Sequence, residues 1–365
     1  MKSTRRTWWW LVTLMPLLAR AEDPLEGAVL TVFDGRGSRV VAAGPATEAP
    51  TLMVPGVDGP RSVRIEGDWS DSVGQGHVDV SLGYRHDKLR WNIASSSSGR
   101  DTPNILSELA WRQHSAALRL GGEWVGHEGL SLKGEITYAH AGPWGDVRDS
   151  DYALDNRNGE WSRSHSKPGG GQSLDFSGSV GWRFPLAQVL SLTPRIGYAR
   201  HTQDLSMRYG ETVLWNQALA DRFQTGQGST GTFAGLTSSY KPRWWGPWAG
   251  MGLRFQPIQR LTVDAEVERH SFHYRAEADW NLRGDLAHPL SFRHEGNGSG
   301  WATSTALAWQ IQPGSAVTAN FHWRHFRITD GTDEFFGAAG STGETRLNEV
   351  RWLSWSAGLG FQHAF

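Results

Sequence analysis

Apolar and polar residues alternate with period two along most of the chain beyond residue 75. Val78, Val80, Leu82 and Tyr84 alternate with Asp79, Ser81 and Gly83, and Leu132, Gly134, Ile136 and Tyr138 alternate with Ser131, Lys133, Glu135 and Thr137. The later half repeats it: Leu261, Val263, Ala265 and Val267 oppose Thr262, Asp264, Glu266 and Glu268, and Val317, Ala319, Phe321 and Trp323 oppose Thr318, Asn320, His322 and Arg324. A strand sends successive side chains to opposite faces, so each segment offers one face to an apolar medium and one to a polar medium. The last segment sets Leu353, Trp355, Ala357, Leu359, Phe361 and Phe365 on one face and ends the chain on an aromatic residue. The pattern predicts ten strands near 76–94, 104–125, 130–141, 172–186, 190–208, 235–256, 260–278, 290–311, 315–329 and 349–365.

Alternating strands also build two-sheet sandwiches, which would bury the aromatic rows and leave the charged rows in water. The uneven connections argue otherwise. Tight links such as Glu128-Gly129, Pro185-Leu186 and Gln256-Pro257 alternate with long polar loops at 142–171, 209–234, 279–289 and 330–346. Short turns on one side and long loops on the other are the habit of an outer-membrane barrel, whose terminal strand must close against the first because lipid tolerates no open edge. The expected fold is therefore all-β: a ten-stranded antiparallel transmembrane β-barrel, with its loops extracellular.

Composition agrees. Only 38% of residues are hydrophobic, yet Trp numbers 20 and Gly 44, as suits a barrel with polar residues inside and aromatic girdles at the interfaces. The chain has no Cys, which removes disulfides and thiolate metal sites, and its net charge of -1 argues against nucleic acid. Lys2, Arg5 and Arg6 precede an apolar run from Trp8 to Leu18 and then Ala19-Arg20-Ala21, which reads as a signal peptide over residues 1–21. Residues 22–75 carry Pro45, Pro50, Pro55 and Pro60 at even spacing and read as a flexible periplasmic extension. A small lumenal plug is the alternative, with short strands at 28–33 and 39–43.

Chemistry concentrates after the third strand, where Asp149-Ser-Asp151-Tyr152 places two carboxylates at i and i+2 on an extended segment. Close carboxylates raise one another's pKa, so such a pair can hold a proton and orient a water. Acidic loops more often bind cations or simply face solvent. His270 and His273 are three apart on a strand and point to opposite faces, which spoils a metal site; no metal or cofactor is implied. Gly169-Gly-Gly171 reads as a loop tip.

The order of these parts resembles the omptin family of outer-membrane proteases. Ser107-Glu-Leu-Ala-Trp111 followed by Asp149-Ser-Asp151-Tyr152 looks like the omptin strand and Asp-x-Asp-Trp pair, and Ser239-Tyr-Lys-Pro-Arg243-Trp-Trp-Gly-Pro247 is similar to the omptin sixth strand. The resemblance implies a surface endopeptidase that cleaves near basic residues with an Asp-activated water. It assigns Asp149 and Asp151 to one catalytic pair, Asp279 and position 281 to the other, and Glu277 to the recognition of a cationic peptide. Position 281 is Asn281, where omptins carry His, and an amide does not titrate near neutral pH. Either the base is lost, or His288 supplies the imidazole, or the Asp149/Asp151 pair is itself the base. The companion acidic position on the first strand is Trp91. Tyr198 and Arg243 match an omptin lipopolysaccharide contact, with Arg200 and Thr202 beside them, so lipopolysaccharide is an implied partner and a requirement for activity. The competing expectation is a non-catalytic barrel serving as an adhesin or lipopolysaccharide-binding protein.

Overall fold

The structure, a computed structural model, describes residues 74–365 in full and, before them, only the backbone of four short strands. The signal peptide expected at 1–21 lies outside the described residues. Within 22–75, β1 (Val29–Asp34) pairs antiparallel with β2 (Gly37–Ala42), and β3 (Thr51–Gly56) with β4 (Gly59–Arg64). The first hairpin falls on the two short strands read from the sequence. The second contains Pro55 and Pro60, which a two-stranded ribbon tolerates because both its strands are edges.

Residues 72–365 form one compact unit. Its strands are β5 (Gln75–Ile93), β6 (Ser107–Val125), β7 (Leu130–Tyr152), β8 (Glu160–Trp182), β9 (Phe184–Ala187), β10 (Leu190–Trp215), β11 (Gly231–Phe233), β12 (Ser239–Ile258), β13 (Leu261–Asp279), β14 (Phe292–Gln312), β15 (Ser315–Phe336) and β16 (Thr342–Ala364). They make a 12-stranded sheet in which β9 and β11 are short additions to β10, and the ten long strands close into an antiparallel ring. Closure joins β16 to β5 with Leu359 opposite Leu82, and Gly76 and Phe365 exchange two backbone hydrogen bonds of 2.9 Å. A Cβ at Gly76 would sit 2.6 Å from the Phe365 ring, which would have to turn aside.

The short connections, 126–129, 183–189, 259–260 and 313–314, share one end of the ring with Phe365; 94–106, 153–159, 216–238, 280–291 and 337–341 share the other, the long-loop end. Strands β7 and β8 run well into the expected loop at 142–171, so Asp149 and Asp151 stand on a strand. Alternation hides these extensions: above the apolar belt the outward residues become polar, and the breakers Gly142-Pro143 sit where the β7–β8 register jumps between Ala141 and Val147.

Outside the lower half, Leu82, Ile136, Leu174, Ile196, Leu307 and Leu359 are exposed, an apolar belt suited to hydrocarbon. Inside it the residues are charged and paired: Arg85 meets Asp175 at 2.9 Å, Arg324 meets Asp175 at 2.6 Å, and Arg119 meets Glu135 at 2.8 Å. The upper half inverts this arrangement. There the inward residues form a buried aromatic cluster that includes Trp91, Trp111, Tyr240, Trp244, Phe326 and Trp352. Trp111 of β6 stacks on Tyr240 of β12 at 5.6 Å, and Trp244 of β12 stacks on Trp352 of β16 at 5.9 Å, contacts that cross the lumen. Within this plug, Tyr240 Oη lies 2.6 Å from Tyr274 Oη and 2.8 Å from His294 Nδ1, and His294 Nε2 lies 3.1 Å from Asp333, whereas the indole N–H groups of Trp91, Trp111 and Trp244 have no hydrogen-bond partner among the described residues.

Candidate functional site

Asp149 pairs across β7 with Leu109 and Ser164, and Asp151 with Ser107 and Ser162. Leu109 and, two residues down, Val147 belong to the plug, so strand alternation turns both carboxylates inward, stacked above it. Burial and the charge of Asp151 push the Asp149 carboxyl well above its usual range, with Arg283 and the Ser150 backbone N–H working against them. Burial lifts Asp151 to about 6, opposed by Ser107, Ser162 and Arg283 and assisted by Glu160. The charge facing both acids is thus the Arg283 guanidinium, which is itself gripped by Asp285 at 2.7 and 2.6 Å. Such a site can share a proton and bind a cation.

The other expected residues do not join it. Ala276 and Ala278 of β13 lie in the plug, so alternation turns Glu277 and Asp279 to the outside. Glu277 is bound by Arg275 at 2.8 Å and Arg243 at 3.7 Å on the outer face. Asp279 meets His288 Nδ1 at 2.6 Å, so the imidazole that pairs with Asp279 comes from His288 and not from position 281. Asn281 fastens a loop instead: its Oδ1 accepts from Thr237 N at 2.9 Å and Ser238 Oγ at 3.0 Å, and its Nδ2 donates to the Gly235 carbonyl at 2.7 Å. Trp91 is a plug residue at 3% exposure.

Tyr198 is outward at the top of the belt, and Arg243 lies above it opposite Thr202. Around Arg243 the cations Arg275 and Arg293 share their face with Glu277, Glu295 and Glu334, which leaves little net charge. His270 pairs with the inward Glu268 and His273 with Asn297. Sequence reasoning missed Arg283 and the plug. Arg283 carries no local signal, because only the fold of 280–291 brings it to strand β7.

A closed antiparallel ring with an apolar belt and a charged lower lumen defines an outer-membrane β-barrel. The chain belongs to the Protochlamydia outer membrane protein family, whose model matches residues 79–365. No curated protein matches it. Among solved structures it is similar to the outer membrane protease OmpT of Escherichia coli, at 12% identity and a TM-score of 0.65, over 80% of this chain and 98% of that one. The outer membrane protein OprG of Pseudomonas aeruginosa aligns at 7% identity and a TM-score of 0.31, over 81% and 98% of the two chains. The omptin likeness therefore holds for the barrel fold, while the family is the Protochlamydia one.

Proposed function

We propose that the chain is a closed surface barrel that works by binding, with its long-loop end outside the cell. The observation that carries this reading is the aromatic plug, which fills the upper lumen where a porin would be open and an omptin-type site would need two facing pairs. Below it, a cavity of about 90 Å³ lined by Lys133, Arg195, Glu266 and His322 has room for a few waters, each needing ~10–15 Å³. The orientation follows the rule that long loops face outward. A membrane-impermeant amine reagent on intact cells should label the exposed Lys167 and Lys241; labelling only after lysis would reverse the orientation. In planar bilayers the refolded barrel should give no conductance steps, and steady open channels would end the closed-barrel reading.

A second reading is favoured by one feature, the Asp149 and Asp151 carboxyls side by side on the inward face of β7: a slow endopeptidase for basic peptides in which this pair alone activates water. Lipopolysaccharide would then be its activator, with Tyr198 and Arg243 as contacts. Cleavage of basic peptides by refolded protein with lipopolysaccharide, lost in Asp151→Asn, would support it. Asn281→His should give no gain, because Asn281 is occupied by three loop hydrogen bonds.

A further inference from the structure

The outer face of β15, β16, β5 and β6 is built in horizontal rows. The register aligns Trp323, Trp355, His86 and His114 in one row, with His86 4.8 Å from His114 and 6.0 Å from Trp355 between ring centres. Two residues higher come His325, Leu353, Lys88 and Arg112, and two higher again Arg327, Arg351, Arg90 and Ala110. The plug residues Leu89, Trp91, Trp111 and Trp352 alternate with them and fix all three rows as outward.

The charges in these rows do not cancel. Arg327, Arg351 and Arg90 converge on the single carboxylate of Glu349, at 2.6, 2.7 and 3.4 Å. Arg112 reaches Asp146 only at 3.7 Å, with both side chains about half exposed, and Lys88 has no ion pair among the described residues. Arg90 also lies 3.9 Å from Glu108, which Arg148 and Arg157 hold at 3.5 and 2.6 Å, so seven cations face the three carboxylates Glu349, Asp146 and Glu108, in contrast to the balanced face around Arg243. Glu349 orients the guanidinium groups while leaving most of their donors unused.

Height identifies what could use them. Two residues along a strand are about 6.8 Å, or about 5 Å along the membrane normal at the usual barrel tilt. Aromatic girdles mark the hydrocarbon boundary, and the phospholipid headgroup layer above it is about 5–8 Å deep. Lys88 and Arg112 then stand about 5 Å above the aromatic row, and the three arginines about 10 Å above it. One phospholipid phosphate can reach the lower row but not both.

We infer that this face binds a multiply phosphorylated glycolipid of the outer leaflet, with one phosphate near Lys88 and Arg112 and another on Arg327, Arg351 and Arg90. Guanidinium forks suit phosphate oxygens. The inference takes the outward orientation from the proposed function only to say which leaflet supplies the lipid. Binding in detergent is independent of it, and the Lys167 and Lys241 labelling decides orientation separately.

The test titrates the refolded full chain in neutral detergent with diphosphorylated lipid A, the same lipid stripped of phosphate, and phosphatidylglycerol, and counts bound lipid by native mass spectrometry. Diphosphorylated lipid A should bind tightest, and Arg327→Gln/Arg351→Gln should weaken it roughly tenfold or more, the loss of charge-assisted hydrogen bonds. Arg260→Gln, in the exposed 259–260 connection at the opposite end of the ring, should leave it unchanged. Equal binding of the stripped lipid or of phosphatidylglycerol, an unaffected double variant, or loss in Arg260→Gln would each overturn the assignment. Should the double variant fail the heat-mobility test of folding, Lys88→Gln/Arg112→Gln takes its place, with the same loss expected and unchanged binding again overturning the site.

Discussion

Asp149 and Asp151 show how a residue pair legible in the sequence acquires its properties from elsewhere. Two carboxylates at i and i+2 are visible in the chain, and their inward direction follows once the strand is known. The opposing Arg283 and the seryl neighbours Ser107 and Ser162 come from other strands and loops, so no local pattern announces them. The consequence is a pH dependence of stability. Asp151 binds its proton up to about 6 in the folded state and up to 3.8 when unperturbed, so between these values the folded chain holds more protons than the unfolded one. Its contribution is full at acid pH and is lost as pH rises through about 6. Asp151→Asn, neutral throughout, should raise the urea midpoint at pH 7.5 and flatten the fall between pH 4.5 and 7.5, read by tryptophan fluorescence. A parent midpoint that rises with pH across that window, with no gain from the variant, would contradict the assignment. Arg283→Gln should shift the window upward, since it removes the cation that favours the ionised pair.

At the scale of elements, period-two alternation located all ten long strands and their end-to-end order, because hydrocarbon outside and paired charge inside give each membrane-crossing strand two unlike faces. It failed above the belt. There the outward face is polar and the inward face aromatic, and the bulge at 142–146 interrupts the rhythm, so β7 and β8 looked shorter than they are. The position of the aromatic residues makes the plug a place where truncation costs most. Trp244→Ala should destabilise the barrel by about 3–5 kcal/mol through the cavity it leaves, whereas Tyr198→Ala, on the outer face, should cost under about 1 kcal/mol in detergent. Comparable midpoints for the two variants in urea would mean that the plug is not a packed core. Gly246→Val should disrupt the β12–β13 pairing more than either, because a Cβ at Gly246 would lie 2.0 Å from the Ser271 carbonyl oxygen; it is expected to leave no heat-modifiable folded band.

For the whole molecule, Phe365 and Gly76 end the β16–β5 seam that closes the ring, and deletion of Phe365 removes both of their backbone hydrogen bonds. The deletion should lower the yield of folded barrel on refolding, read as the fraction that changes mobility only on boiling; an unchanged yield would show that the seam closes without it. The sequence by itself determined the strand count, the antiparallel ring and the membrane it suits, since two-faced strands have few other ways to satisfy every backbone group in lipid. It also marked the Asp149/Asp151 pair. Only the tertiary structure decided that the upper lumen is filled with aromatic residues, that Glu277 and Asp279 turn outward, that Asn281 holds a loop and His288 meets Asp279, and that the unbalanced cations gather on β15, β16, β5 and β6. Alternation along a strand says which residues share a face, but register and ring closure say what that face meets, and these depend on partners far away in the chain.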